Sequence, residues 1–176
     1  ENCYVDGTSG NNDVRGYRHG TGGFVGELQG NSTITDSIAN DVDVRANQNN
    51  NATAGGFVGD CTQSTIERCV SAPDRIDVDR DDSDGGYFVG RTNDATFRDC
   101  VISDLNNLNM DTPGGHGSPD GHYGGFVGAL NSQDQYERII VQAGQIETVY
   151  DGGSNPPRFN NTGLFAGQRN TNATYS

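Results

Sequence analysis

The stretch Gly22-Gly23-Phe24-Val25-Gly26 decides the fold, because the chain keeps returning to it. It recurs as Gly55-Gly56-Phe57-Val58-Gly59, as Gly86-Tyr87-Phe88-Val89-Gly90 and as Gly124-Gly125-Phe126-Val127-Gly128. A looser copy follows at Thr162-Gly163-Leu164-Phe165-Ala166-Gly167. The phenylalanines at 24, 57, 88, 126 and 165 are separated by 33, 31, 38 and 39 residues. Self-similarity at a spacing of roughly 20–50 residues marks a repeat architecture in which each unit buries its apolar side only against its neighbours.

Two further beats follow each phenylalanine. Nine or ten residues on comes Ile34, Ile66, Phe97, Tyr136 or Tyr175. Three positions beyond these sit Ser37, Cys69, Cys100 and Ile139, each followed by an aliphatic residue, Ile38, Val70, Val101 or Ile140. A third beat reads Val42 and Val44, Ile76 and Val78, Leu105 and Leu108, Ile146 and Val149. Short apolar runs between corners rich in Gly, Asn and Asp read as strands, and no helical period of useful length is present. The sequence therefore predicts an all-β protein, a β-solenoid or β-helix of about five turns with roughly three short strands per turn. Residues 1–176 form a single repeat domain, its turns anchored at Phe24, Phe57, Phe88, Phe126 and Phe165.

The ends fall inside repeats. Glu1-Asn2-Cys3-Tyr4-Val5 matches Glu67-Arg68-Cys69-Val70-Ser71, and Ala173-Thr174-Tyr175-Ser176 matches Ser32-Thr33-Ile34-Thr35. The two ends are thus in phase, and both faces of the coil are expected to be open ladders that accept a like turn.

Composition narrows the function. Of 24 acidic residues 19 are Asp, the 11 basic residues are all Arg, and the formal net charge is −13. Such a chain repels nucleic-acid phosphates and anionic membrane surfaces. Its acidity suits a saline or calcium-containing exterior, and it also serves as a solubilising coat for a sheet protein. Cys69 and Cys100 occupy equivalent places in consecutive repeats, so a Cys69–Cys100 disulfide is expected, the alternative being buried thiols; Cys3 and Cys61 are left unassigned. Sequons at Asn31, Asn51, Asn160 and Asn172 fall in corners where a glycan could project. Together these features place the chain outside the cell or on its surface.

The corners supply the ligand candidates. The run from Asp79 to Gly86 offers Asp79, Asp81, Asp82 and Asp84 as oxygen ligands for calcium, against the simpler reading of a solvated acidic corner. His116, Asp120 and His122 lie in a Gly-rich insertion and form a candidate divalent-metal set. That insertion, 111–123, and a second, 151–161 with Pro156-Pro157, are the segments placed to meet a partner. Neither ligand set is required for the fold, so no cofactor is expected beyond calcium.

These repeats resemble the GLUG family of bacterial and archaeal surface proteins. The resemblance rests on Gly23-Phe24-Val25-Gly26 and its copies, and on Asn2-Cys3-Tyr4, Glu67-Arg68-Cys69-Val70 and Asp99-Cys100-Val101 as the second half of the motif. It implies a β-solenoid scaffold of adhesins and of non-catalytic regions in secreted peptidases, and it carries over no catalytic residues. The chain departs from that pattern in its Phe for Leu, its corners lengthened around 115 and 155, and Ile139 in place of Cys.

An enzyme is not expected. Acid pairs such as Asp41 with Asp43 and Asp77 with Asp79 alternate with Val42, Val44 and Val78, which is the outward face of a strand. The favoured reading is a structural subunit or segment of an extracellular fibre or adhesin, stacked head to tail on itself or on flanking repeats. The alternative is a carbohydrate- or surface-binding module that uses Tyr17, Tyr123 and Tyr150 to stack on sugars.

Overall fold

The computed structural model describes residues 2–7, 13–16, 19–46, 52–78, 83–103, 108–113, 121–131, 133–142, 146–151, 161–169 and 174–175. Among the described residues the chain forms 25 short strands and no helix. The first turn contains β1 (Tyr4–Asp6), β2 (Asp13–Gly16), β3 (Gly20–Gly22), β4 (Val25–Leu28) and β5 (Thr33–Thr35). The same five strands recur in each later turn. The last are β21 (Ile140–Gln142), β22 (Ile146–Asp151), β23 (Asn161–Gly163), β24 (Ala166–Arg169) and β25 (Thr174–Tyr175).

Equivalent strands of successive turns pair in parallel, giving five parallel sheets of five strands each. This is a β-solenoid of five turns. It has five strands per turn where the apolar beats predict about three, and the difference lies in the corners. The phenylalanine beat is itself a corner with a strand on either side, because the amides of Phe24 and Val25 both donate to the Phe57 carbonyl at 3.0 Å. The second beat is split by residues in the left-handed region, Asp36 (φ 54), Arg68 (φ 50), Asp99 (φ 52) and Arg138 (φ 52). A short side chain or Gly usually fills that region, and Arg there gives no sequence signal.

Parallel in-register pairing sets each side chain against its own counterpart one turn away. Ile34, Ile66, Phe97, Tyr136 and Tyr175 are register partners in sequence, as their spacing predicts. The phenylalanine rings stack face to face with centroids 4.7, 5.0, 4.7 and 5.4 Å apart from Phe24 to Phe165. Phe97 and Tyr136 meet this stack edge-on, Phe97 at 5.5 Å from Phe126 and Tyr136 at 5.9 Å. Both arrangements suit the ring quadrupole. Phe57, Phe88 and Phe126 are fully buried, whereas Phe24 and Phe165 at the two ends are half-buried.

The glycines of the motif have a steric cause. The sheet containing β3 lies against the sheet containing β4 backbone to backbone. A Cβ on Gly59 would sit 2.2 Å from the Thr21 amide nitrogen, and one on Gly55 would sit 1.9 Å from the Val58 carbonyl oxygen. No side chain can move aside there, since the obstacle is main chain. The Gly–Gly-x-x-Gly frame is therefore the condition for closing the coil around a thin core.

The third beat shifts register in the fourth turn. Val44 pairs with Ile76, Ile76 with Met110 and Met110 with Thr148. The expected Leu108 lies two residues upstream, opposite Ile146, and Leu105 is outside the described residues. Repeat length absorbs insertions at the corners, so an apolar residue near the expected spacing can belong to a different rung.

Two substitutions separate the steric from the hydrophobic contribution. Gly59→Ala should lower stability by about 1–3 kcal/mol, as overpacking does. Phe88→Ala should lower it by about 3–5 kcal/mol through loss of ring burial. Both read out as lower urea midpoints at unchanged m; a neutral Gly59→Ala would refute the backbone-contact account.

Candidate functional site

The two end faces are built from the same parts as every internal rung. The lower edge is formed by β1 to β5 and the upper edge by β21 to β25. On either side of β5 the Ser32 carbonyl and the Asp36 amide are already bonded to the next turn, at 2.9 and 3.1 Å. Residues alternate in direction along a parallel strand, so the amides of Thr33 and Thr35 point away from the coil. Among the described residues, each edge thus turns backbone groups outward around a half-covered aromatic ring, Phe24 below and Phe165 above. Leu164, beside the upper ring, is 72% exposed.

The flank carries a charge ladder. Asp36, Arg68, Asp99 and Arg138 occupy equivalent corners in successive turns, and their signs alternate. Arg68 grips Asp36 through Nε at 2.6 Å and Nη2 at 2.8 Å. Arg138 grips Asp99 in the same two-pronged way, at 2.5 and 2.7 Å. Hydrogen bonds from these guanidiniums hold both carboxyls below the usual carboxylate range. Next to it runs a second alternating column, in which Arg98 pairs with Glu67 at 3.5 Å and with Glu137 at 3.2 Å.

A third cluster gathers two residues expected to bind metal. Asp84 is buried, and its Oδ2 accepts from Arg91 Nε at 2.8 Å and Nη2 at 2.6 Å. Its Oδ1 faces His122 Nδ1 at 2.6 Å. Both oxygens of Asp84, one of the four expected calcium ligands, are thus engaged by Arg91 and His122. Asp79, Asp81 and Asp82 lie outside the described residues, as do His116 and Asp120 of the second metal set. Among the described residues no three His, Cys, Asp or Glu side chains form a metal-binding group. Asp60, register partner of Arg91, has its carboxyl pushed above the usual range by burial, despite the opposing pull of Arg91.

Sugar stacking loses one of its three candidates. Tyr123 is only 6% exposed and packs beside Gly85 in the core. Tyr17 and the side chain of Tyr150 are outside the described residues, as are the sequons at Asn51, Asn160 and Asn172. Asn31 is exposed on a left-handed corner (φ 62), where a glycan has room. Asp77, expected on the outward face of its strand, is buried, with Arg75 at 3.6 Å and Arg45 at 3.9 Å from its Oδ2.

The cysteines stack as the repeat alignment predicts, but the expected Cys69–Cys100 disulfide is not formed. The Cys69 thiol instead donates to the Glu67 carbonyl at 3.2 Å, and the Cys100 thiol to the Arg98 carbonyl at 3.3 Å. In-register parallel neighbours stand about 4.8 Å apart with parallel Cα–Cβ bonds, whereas a disulfide wants its Cβ atoms about 3.8 Å apart. Burial pushes the Cys61 and Cys100 thiols up to about 12, and raises Cys69 as well. Cys3 is exposed.

One buried acid has no counterpart in the sequence reading. Asp134 is fully buried at a corner, where it accepts from Thr92 Oγ1 at 2.5 Å and the Ala95 amide at 2.8 Å. Burial outweighs these bonds and pushes its carboxyl up to about 6. Equivalent corners hold Ser64 and Ala95, so nothing in the repeat pattern marks the place.

Comparison with protein-family models, with curated proteins and with solved structures finds no match to this chain. Among the described residues no helix is long and apolar enough to cross a membrane.

Two measurements test these assignments. Alkylation of the native protein under non-reducing conditions should modify Cys3 alone, and unfolding should expose all four thiols to mass-spectrometric counting. Only two modified thiols after unfolding would restore the disulfide. Asp134 binds its proton more tightly folded than unfolded, so its contribution to stability is greatest below the unfolded pKa near 4 and is lost as pH rises through about 6. Melting curves of wild type and Asp134→Asn should diverge between those values, with wild type losing ground as pH rises; parallel curves would remove the shift.

Proposed function

We propose that this chain is a structural segment of an extracellular fibre or adhesin stalk, elongated by stacking one coil end on the other. The observation that carries the reading is the likeness of the two edges. Each has five strand edges and a half-buried phenylalanine at the same place on the rung. A second coil set on the upper edge would continue the ring stack from Phe165 to its own Phe24 and satisfy the outward amides of Thr33 and Thr35. Exposed sheet edges of this kind pair with other chains unless they are blocked.

Mechanical strength follows from geometry. Pulling along the axis loads five parallel sheets and one ring column together, so many weak contacts must fail at once. Excess negative charge keeps neighbouring coils soluble. The same acidity, the corner sequons and the resemblance to GLUG surface repeats support a place outside the cell.

Five turns at about 4.8 Å give a rise of about 24 Å per chain. Electron micrographs of concentrated protein should show filaments with that axial repeat. Thr35→Pro, which removes an outward amide while leaving the inward bonds of β5 in place, should keep the chain folded and stop elongation. Filaments that persist in the proline variant, or isolated particles at every concentration, would defeat end-to-end stacking.

A further inference from the structure

One flank of the coil turns apolar side chains to solvent. On the sheet that begins with β1, Tyr4, Ile38, Val70, Val101 and Ile140 are register partners and point outward. Their inward neighbours Ala39, Ser71 and Ile102 are buried in the core. Tyr4 is 59% exposed, Ile38 37% and Ile140 50%, with Val70 and Val101 half-buried between them. The stripe is about 19 Å long, four rung spacings of about 4.8 Å. A contiguous apolar row rimmed by polar residues marks a contact surface more often than a solvent face.

The rims of the stripe are unlike. Two residues before Tyr4 lies the neutral Asn2, and two before each of the other four runs the charge ladder, Asp36, Arg68, Asp99 and Arg138. Two residues after each stripe residue, Asp6 beside Tyr4 is charged, whereas Asn40, Ala72, Ser103 and Gln142 are uncharged. The ladder holds an even run of alternating signs, so it complements itself when reversed.

We propose that this flank binds the same flank of a second copy running in the opposite direction, as an isologous pair. The two-fold axis lies along the strands, midway between the rungs of Val70 and Val101. Val70 then meets Val101 of the second copy, and Ile38 meets its Ile140. Asp36 faces Arg138 of the second copy and Arg68 faces its Asp99, each contact occurring twice by symmetry. Ala72 opposite Ser103 leaves room for the close approach of the valines. The guanidiniums and carboxylates of the ladder remain half-exposed despite their pairing within the chain, at 50% and 37% for Arg68 and Asp36 and 58% and 40% for Arg138 and Asp99. A copy running in the same direction would instead set the charged rim against the uncharged one, with no pairing. Charge complementarity therefore selects the antiparallel arrangement. This lateral contact is independent of end-to-end stacking.

The test exchanges the ladder in halves. Asp36→Arg with Arg68→Asp preserves the pair within the chain but sets like charges against each other across the two-fold. Asp99→Arg with Arg138→Asp does the same with opposite sign. By sedimentation velocity, wild type should form dimers, and each half-exchanged chain should dimerise at least about tenfold more weakly. Mixed in equal amounts, the two half-exchanged chains should pair with each other, and the chain with all four exchanges should regain self-pairing. Recovery in the mixture also controls for the like-charge neighbour that each half-exchange creates at Arg68 and Asp99. A wild type that stays monomeric, or dimers indifferent to the exchanges, would overturn the proposal. Circular dichroism of every variant confirms that the coil is intact.

Discussion

Translation by one turn lays every residue on its own equivalent, and this constraint governs the rest of the molecule. What tolerates its own likeness repeats freely, and what repels its likeness is relieved where it alternates. Phenylalanine tolerates it, since offset rings gain from face-to-face contact, and five stand in one column. Glycine tolerates it because main chain can lie against main chain where no Cβ intervenes. Charge tolerates it less well: like charges do meet, Asp13 over Asp43 and Arg15 over Arg45, but two flank columns alternate, with Asp36, Arg68, Asp99, Arg138 in one and Glu67, Arg98, Glu137 in the next.

The same constraint explains how so sparse a chain holds a fold. Only 31% of its residues are hydrophobic, too few for an ordinary globule of this length to close around. A coil needs far fewer, because each rung supplies only a thin slice of interior and its neighbours seal it above and below. Side chains at the ends of the ring column lack one of those seals. Phe24 and Phe165 are for that reason half-buried, although Phe24 sits in the same Gly-Gly-Phe-Val-Gly frame as the fully buried Phe57.

The sequence is legible where the repeating unit is rigid and opaque where it is not. The phenylalanine column and the Ile34-to-Tyr175 column read directly from spacing, since the segment between them keeps nearly constant length. Five strands per turn could not be read, because Arg68, Arg138 and Gln63 take up left-handed corners that their types do not announce. Met110 displaced Leu108 from its rung because corner insertions vary between turns. The meeting of Asp84, Arg91 and His122 spans 38 residues and two sheets, beyond any local pattern. Asp134 sits where other turns hold Ser64 or Ala95, so its burial follows from packing alone. Cysteine spacing indicated neighbours correctly but said nothing of side-chain direction, which is where a bridge is decided.

Alternation gives the charge ladder a parity that the aromatic column lacks. Duplicating a single turn within such a chain would set a guanidinium above a guanidinium, or a carboxylate above a carboxylate, at the point of insertion. Duplicating two adjacent turns together leaves the sequence of signs unbroken. Along this column the pairing of signs survives insertion by two rungs, about 9.6 Å at a time, whereas the phenylalanine column accepts any number.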